Sequence, residues 1–598
     1  MKDRIVNDFS ITVGTVNGSG SQTANTTILR SLFKMGIPVS GKNLFPSNIQ
    51  GLPTWYTIRV SKDGFTARRD EHEVVVCMNP QSFAKDMADV LPGGAFFYAD
   101  HINLQVTRDD IHAYSMPVKE IMLAQKEVPS NLKDLVANMV YVGILAQSLG
   151  IDLEMIKTAL EFHFKGKQKP IDLNFNVVQA AASWAKDNLE KKDPFVVQAM
   201  DRTDGLIMTD GNTAAAIGSI YGGVQFSAWY PITPASSLAE ALVEYLPQLR
   251  RREDGKKSYA VVQAEDELAA IGMAIGAGWA GLRAMTSTSG PGLSLMTEFA
   301  GLAYYGEVPV VIWDVQRVGP STGLPTRTSQ GDLTFSHYIG HGDTEQVILL
   351  PGSVAECYEF GWRSFDIAEH LQTPVFVLSD LDLGMNQWMA KPFVYPDTPM
   401  DRGKILWEAD LEKLKGNWGR YRDVDGDGIP YRTLPGNKHP ASAYFMRGTG
   451  HNEEARYSED PANWERMMSR LKKKYRSAAR LIPEPVIENT RGASIGIIAY
   501  GSMEPAIREA HHLLKSEAGV KADRMRIRGI PFAKKVAQFI ERHEHNYVVE
   551  MNRDGQMYQL LLVEHPHLAT RLTSIACNDG LPATARWVKD SILAKEVK

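Results

Sequence analysis

The sequence predicts an α/β fold of several domains built on parallel sheets, and three observations carry that reading. Short, near-continuous apolar runs alternate with helical patterns, which is how a parallel sheet covered on both faces is written in sequence. The chain has 598 residues, which at roughly 150 residues per domain suggests about four units. Hydrophobic residues make up 44% and charged residues 23%, the proportions of an ordinary globular protein.

The elements follow in order. A first unit, residues 1–190, opens with a strand at 9–16 (FSITVGTV), a Gly/Ser turn and an amphipathic pattern at 26–36. Strands at 54–60 and 73–79, a helix at 82–91 and a strand at 94–100 continue it, and a helical tail spans 131–188. The charged NLEKKD at 188–193 reads as a linker. The second unit, 200–385, alternates strand 260–265, helix 266–281, strand 283–289, helix 293–305 and strand 309–316, with further strands at 346–351 and 373–380. Over 386–484 proline, glycine and charge rise and periodicity fades, as in an irregular subdomain. Residues 485–598 return to α/β with strand 493–501, helix 503–514 and strand 546–552.

Composition excludes several classes. A net charge of −5 provides no global attraction for nucleic acid or an anionic membrane. The basic run RLKKKYR at 470–476 reads as the solvated face of a helix. No run of about 18 apolar residues is present to span a bilayer, and the opening MKDRIVNDFS is no secretory signal. Cys77, Cys357 and Cys577 are too dispersed for a disulfide framework or for zinc or iron–sulfur spacing. A cytoplasmic chain is expected, binding no metal of its own. Any cluster its function needs must sit on another polypeptide.

Four segments carry candidate chemistry. In WYPITPAS (229–236) two prolines stiffen the loop around Thr233 and hold its hydroxyl in place, although an ordinary loop before a helix explains the same residues. Glu265, Asp266 and Glu267 stand at a strand-to-helix junction, where open α/β sheets bind ligands and where acids also simply cap helices. The helix that follows contains Gly272, Gly276, Gly278 and Gly281, which weaken it and call for close approach by a backbone or a cofactor. TSTSGPG (286–292) ends a strand in hydroxyls and glycines, either a ligand cradle or a plain turn. QRVGPSTGLPTRTSQ (316–330) places Arg317 and Arg327 after another strand, as carboxylate clamps or as solvated surface arginines.

Taken together, YPITP, EDELAAIGMAIGAGWAG, TSTSGPG and QRVGPSTGLPTRTSQGD resemble, in kind and order, the α subunit of 2-oxoacid:ferredoxin (acceptor) oxidoreductases. The nearest resemblance is to the 2-oxoglutarate type with a γ domain fused ahead of α. It spans essentially the whole chain, is most specific from 211 to 332, and includes DVDGDGIPYRTLPG at 423–436. The resemblance implies a parallel-sheet pyrimidine-type thiamine domain, an amino-terminal γ-type domain and a carboxy-terminal transketolase-C-like domain. It implies that Tyr230, Pro231, Ile232, Ser289 and Gly290 hold thiamine diphosphate. Glu267 would face N1′ of the aminopyrimidine, where a carboxylate favours the imino tautomer that takes the C2 proton. Thr233, Arg317 and Thr326 would contact the 2-oxoacid, Arg317 by neutralising its carboxylate.

The same resemblance divides the labour. A β subunit would hold the diphosphate, Mg²⁺ and a [4Fe–4S] cluster, consistent with the missing GDG-then-Asn motif and cluster cysteines here. Ferredoxin, or a flavin subunit using NAD(P), would accept the electrons, and an (αβ)2 assembly is expected. The turn at 14–22, with Gly14, Gly18 and Gly20, resembles the γ-domain turn linked with coenzyme A, though Thr23 breaks a dinucleotide fingerprint. Asp423, Asp425 and Asp427 begin like a calcium loop but Leu434 stands where a bidentate Glu belongs. The expected activity is CoA-dependent oxidative decarboxylation of 2-oxoglutarate. Another 2-oxoacid (pyruvate, branched-chain or aryl) is the alternative, and a non-catalytic scaffold or electron-transfer accessory is the alternative of another class.

Overall fold

The structure, a computed structural model, describes residues 4–46 and 51–596. The chain forms two units: Met1–Thr209 with Asn386–Pro392 and Ala583–Trp587, and Asp210–Met385 with Phe393–Pro582 and Val588–Lys598. Both are α/β, as expected. Among the described residues no helix is long and apolar enough to cross a membrane.

The first unit is built on a mixed six-stranded sheet in the order Val39–Leu44, Pro53–Ser61, Asp8–Val16, His72–Cys77, Val90–Ala99, His112–Met116. Helix Met139–Leu149 is buried on nearly every side, as an all-apolar helix must be. Gly143 lets helix Gln168–Asn188 approach so closely that a Cβ would strike the Val178 carbonyl. The helix expected at 26–36 instead covers Ser21–Lys34. Its first turns are buried yet polar, which hides them from hydrophobic periodicity. Their hydroxyls are satisfied locally, Thr27 donating to the Thr23 carbonyl at 2.7 Å and Ser31 to the Thr27 carbonyl at 2.7 Å.

The second unit contains a seven-stranded sheet in the order Ala260–Gln263, Phe226–Trp229, Ala284–Thr288, Val310–Gln316, Pro374–Asp380, Val347–Leu349, Gly529–Ile530. Only the last strand is antiparallel. The central strands are buried on both faces, the reason they read as continuous apolar runs. Helices Gly211–Tyr221 and Val354–Leu371 cross with Gly218 and Gly361 at their closest approach. A second sheet, Val486–Glu488, Ala522–Ile527, Ile495–Tyr500, His545–Glu550, Leu572–Ala576, lies in the carboxy-terminal part of the same unit.

One expectation fails here. The basic run at 470–476 lies on helix Pro461–Ser477, but only Lys472, Lys473 and Arg476 of its cations are solvated. Arg470 and Lys474 turn inward and pair with the fully buried Glu307, the Lys474 contact at 2.8 Å. A buried carboxylate needs charge partners, and this requirement selects two cations out of five without any mark in the local sequence.

Candidate functional site

The candidate site gathers at the carboxyl ends of the parallel strands of the second unit. After Phe226–Trp229 the chain runs outward to Ala260–Gln263 and then returns to pair Ala284–Thr288 on the other side. That reversal makes a switch point, where open α/β sheets bind ligands. The loops at 230–235 and 317–332, and helix Gly290–Leu295 with its N-cap Ser289, issue from this edge.

The acidic trio separates into distinct parts. Asp266 is the N-cap of helix Glu267–Trp279 and accepts the Ala269 amide at 2.7 Å, so capping belongs to it. Glu265 is exposed. Glu267 is 7% exposed, and none of the described donors bonds its carboxylate. A Cβ on Gly292 would stand 2.8 Å from Glu267 Cγ and 2.9 Å from Oε1. The glycine therefore clears the space that the carboxylate occupies. Of the helix glycines, Gly278 admits the Pro309 carbonyl and Gly272 packs on Phe299, whereas Gly276 faces open space.

Arg317, also 7% exposed, follows strand Val310–Gln316 directly. Its Nη1 donates to the Thr233 carbonyl at 2.8 Å and its Nη2 to the Thr322 carbonyl at 3.0 Å. Its Nε–H is buried without a partner. Two carbonyl tethers fix the plane of the fork and leave donors for a ligand. Burial lowers its pKa, opposed by the charges of Asp332 and Glu267. Thr233 thus reaches Arg317 through its backbone. The Thr326 hydroxyl is engaged by Arg327 at 3.1 Å. Tyr230 and Pro231 are exposed, Ile232 is half-buried, and the buried Ser289 hydroxyl has no partner.

Sequence reasoning passed over two carboxyls here. Asp314, fully buried in the middle of strand Val310–Gln316, lies within hydrogen-bonding reach of Asp332. Burial and the neighbouring Asp332 push Asp314 far above the carboxylate range. Burial raises Asp332 as well, but the hydrogen bond from Asp314 and the charge of Arg317 hold it to about 6. The signal for Asp314 was one charged residue inside an apolar run (VVIWDVQ). Asp332 closed the recognised QGD motif without being singled out.

The loop bearing Asp332 is fixed from several sides. The Asp332 amide donates to Gln316 Oε1 at 3.0 Å. Gln330 donates to the Tyr500 carbonyl at 2.9 Å and accepts the Met551 amide at 3.0 Å. Gln556 accepts the Thr334 amide at 2.9 Å and donates to the Gly331 carbonyl at 2.6 Å. Between this loop and the carboxy-terminal sheet opens a cleft of about 660 Å³, lined by Gly290, Arg317, Asp332, Asn552, Arg553 and neighbouring residues.

The pyrimidine half of thiamine diphosphate suits these residues. Glu267, largely buried with a carboxylate that no described donor bonds, and Ser289, whose buried hydroxyl has no partner among the described residues, are the groups that an aminopyrimidine edge can satisfy. Among the described residues no group of His, Cys, Asp and Glu is arranged to hold a metal ion. In the 423–428 turn, Lys404 pairs with Asp425 at 2.7 Å and Asp427 at 2.9 Å, and Lys473 pairs with Asp423 at 3.3 Å. Ammonium groups stand where a calcium ion would need the carboxylates. In the first unit, Gly18 and Gly20 take positive φ before helix Ser21–Lys34, Gly20 closing on Leu135. Gly14 lies within strand Asp8–Val16, where a Cβ would meet Asp86 Oδ2 at 2.5 Å.

Comparison with known proteins gives concordant matches. Residues 217–391 match the family model described as pyruvate flavodoxin/ferredoxin oxidoreductase, thiamine diphosphate-binding. Residues 10–184 match that of pyruvate ferredoxin/flavodoxin oxidoreductase. The chain is 30% identical to 2-oxoacid:ferredoxin oxidoreductase 2, subunit alpha, of Aeropyrum pernix, over 93% of this chain and 92% of that one. It is 36% identical to 2-oxoglutarate synthase subunit KorA of Methanothermobacter marburgensis, over 58% of this chain and 88% of that one. Among solved structures, 2-oxoglutarate:ferredoxin oxidoreductase from Magnetococcus marinus, with 2-oxoglutarate, coenzyme A and succinyl-CoA bound, superposes with a TM-score of 0.88 at 28% identity. That match covers 99% of this chain and 100% of the other.

Proposed function

The chain belongs to the α-subunit family of the 2-oxoacid:ferredoxin oxidoreductases, and from that premise we propose that it is the γα subunit of an enzyme acting on 2-oxoglutarate. The reaction is oxidative decarboxylation to succinyl-CoA and CO2 with electrons passing to ferredoxin, and it is reversible. A β subunit holds the diphosphate, Mg²⁺ and a [4Fe–4S] cluster. The observation that carries the reading is the placing, at one sheet edge, of Glu267, a largely buried residue whose carboxylate no described donor bonds, together with a buried, tethered guanidinium, Arg317.

Each residue has a task that its geometry supports. Thiamine diphosphate, when bound, supplies the carbanion that adds to the 2-oxo carbon and the electron sink for loss of CO2. Glu267 holds the proton at N1′ of the aminopyrimidine and returns it as the reaction proceeds. Tyr230, Pro231, Ile232, Ser289 and Gly290 frame the ring. Arg317 orients the substrate carboxylate, because its plane is set by the Thr233 and Thr322 carbonyls before substrate arrives. Thr233 and Thr326 border the same contact. The strand end at Gly14 and the turn of Gly18 and Gly20 that follows serve the coenzyme A side.

The choice of 2-oxoglutarate is supported by the substrate named for the Methanothermobacter and Magnetococcus relatives. The experiment is co-expression with the partner subunit, followed by CoA-dependent viologen reduction with 2-oxoglutarate, pyruvate, branched-chain and aryl 2-oxoacids. Preference for 2-oxoglutarate by kcat/KM is expected. Preference for another member of the panel replaces the substrate assignment, and no turnover with any of them sinks the catalytic one.

A further inference from the structure

Asp332 and Asp314 have no task in that assignment, yet their placement is specific. Asp332 lines the 660 Å³ cleft together with Arg317. Its Oδ2 is buried and accepts no hydrogen bond from a protein donor. Gly290 faces it so tightly that a Cβ there would lie 2.9 Å from either carboxylate oxygen. Behind Asp332, both oxygens of Asp314 are buried and accept from no donor among the described residues, with Asp332 within hydrogen-bonding reach. Asp314 is fully buried and Asp332 is half-buried with its Oδ2 enclosed, and two such neighbouring carboxyls cannot both ionise, so the pair holds one proton and carries one negative charge.

The surrounding charges define what that negative charge does. Arg317 attracts Asp332 from the loop after strand Val310–Gln316. Glu267 acts on Arg317 from its own helix. Tyr500, from the carboxy-terminal sheet, stays neutral, its hydroxyl pushed far up by burial. Arg553 and Asp554 at the cleft mouth pair with each other and are exposed. Asp332 therefore carries the negative charge that acts most strongly on Arg317 while no ligand occupies the cleft.

We propose that Asp332, backed by the protonated Asp314, exchanges that negative charge for a proton: when a 2-oxoacid carboxylate binds Arg317, Asp332 takes one proton from solvent. The charge balances, since the incoming anion brings one negative charge and the pair gives up one. The inference rests on the reading of Arg317 as the carboxylate site. Asp332 is already at about 6 in the free chain, and a second anion beside it raises it further. Affinity for the substrate is then constant below about pH 6 and weakens by up to about tenfold per pH unit above it, as binding must draw a proton from an increasingly basic solution.

The test uses the complex with its partner subunit. Turnover with any 2-oxoacid is checked first, and its absence overturns the underlying reading and this inference together. The KM for the preferred 2-oxoacid is then followed from about pH 6 to 8, with the KM for coenzyme A as the control. For the wild type, 2-oxoacid KM rises with pH while coenzyme A KM does not share the slope. In Asp332→Asn the 2-oxoacid KM becomes flat and at pH 8 is no higher than that of the wild type. A slope unchanged by Asp332→Asn overturns the proposal. Should that variant fail to fold, calorimetric titration of the wild-type complex with glutarate, in two buffers of different ionisation enthalpy, decides the matter. Uptake approaching one proton at pH 7 supports the proposal, and none overturns it.

Discussion

Glu267 and Gly292 occupy complementary space: the carboxylate of the first lies where any side chain on the second would be, with Cγ 2.8 Å from a Cβ built there. The same Cβ would also collide with the Thr288 hydroxyl, which is buried. Gly292→Ala must therefore displace Glu267. A shift of about 1 Å in a reacting group costs on the order of 100-fold. We expect a kcat loss of that order in the β-paired complex, together with a lowered melting temperature from the overpacking against Thr288. Full activity would detach the glycine from the function of Glu267.

Glu267→Gln preserves shape and removes only the ionisable oxygen. General acid–base groups contribute about 10²–10⁴ in rate, and kcat is expected to fall within that range. Far-UV circular dichroism should match the wild type. Retained turnover would remove Glu267 from the chemistry.

Arg317→Lys keeps the charge and loses the fork that two backbone carbonyls hold. Charged hydrogen bonds contribute about 1.5–3 kcal/mol each, so KM for the 2-oxoacid should rise roughly 10- to 150-fold, with a smaller change in kcat. An unchanged KM would place the substrate carboxylate elsewhere.

Glu307 is the charge that ties helix Pro461–Ser477 into the second unit. Burial by itself raises its carboxyl, but Arg470, Lys474 and Arg420 overcome this and hold it at about 2. The folded value lies below the unfolded one of about 4.3. Its contribution is thus present above about pH 4.3 and is lost as pH falls towards 2. Glu307→Gln leaves buried cations without their anion, a change that costs about 3–5 kcal/mol in such clusters. The urea midpoint at pH 7 should drop markedly, and the variant should lose part of the wild type's decline in stability between about pH 4.3 and about 2, the unfolded and folded values. An unaltered midpoint would make the cluster energetically neutral.

In the 423–428 turn, Lys404 neutralises Asp425 and Asp427. The melting temperature is therefore expected to be the same in millimolar calcium and in chelator. A calcium-dependent rise would show that the ion displaces the lysine.

Much of the fold was legible because parallel strands buried on both faces must be apolar throughout, and 309–316 and 373–380 say so plainly. The helix starting at Ser21 was read short because its buried first turns are Ser, Thr and Asn satisfied within the helix. The run at 470–476 was misread because local composition carries no record of Glu307, more than 160 residues away by the pairing separation of 163.

The candidate site divides along the same line. By itself the sequence determined the family, the order of the strand-end loops, and the candidates Thr233, Glu267 and Arg317, since each motif follows directly from the strand that presents it. Only the tertiary structure decided what each atom is free to do. It assigned capping to Asp266 and left Glu267 without a donor among the described residues. It set the Arg317 fork with carbonyls at 233 and 322, and it joined Asp314 to Asp332 across 18 positions of sequence, the difference of their numbers. The physical reason is range. Periodicity and turn chemistry act between near neighbours in the chain, whereas desolvation and the sharing of a proton depend on which buried groups the fold brings into contact.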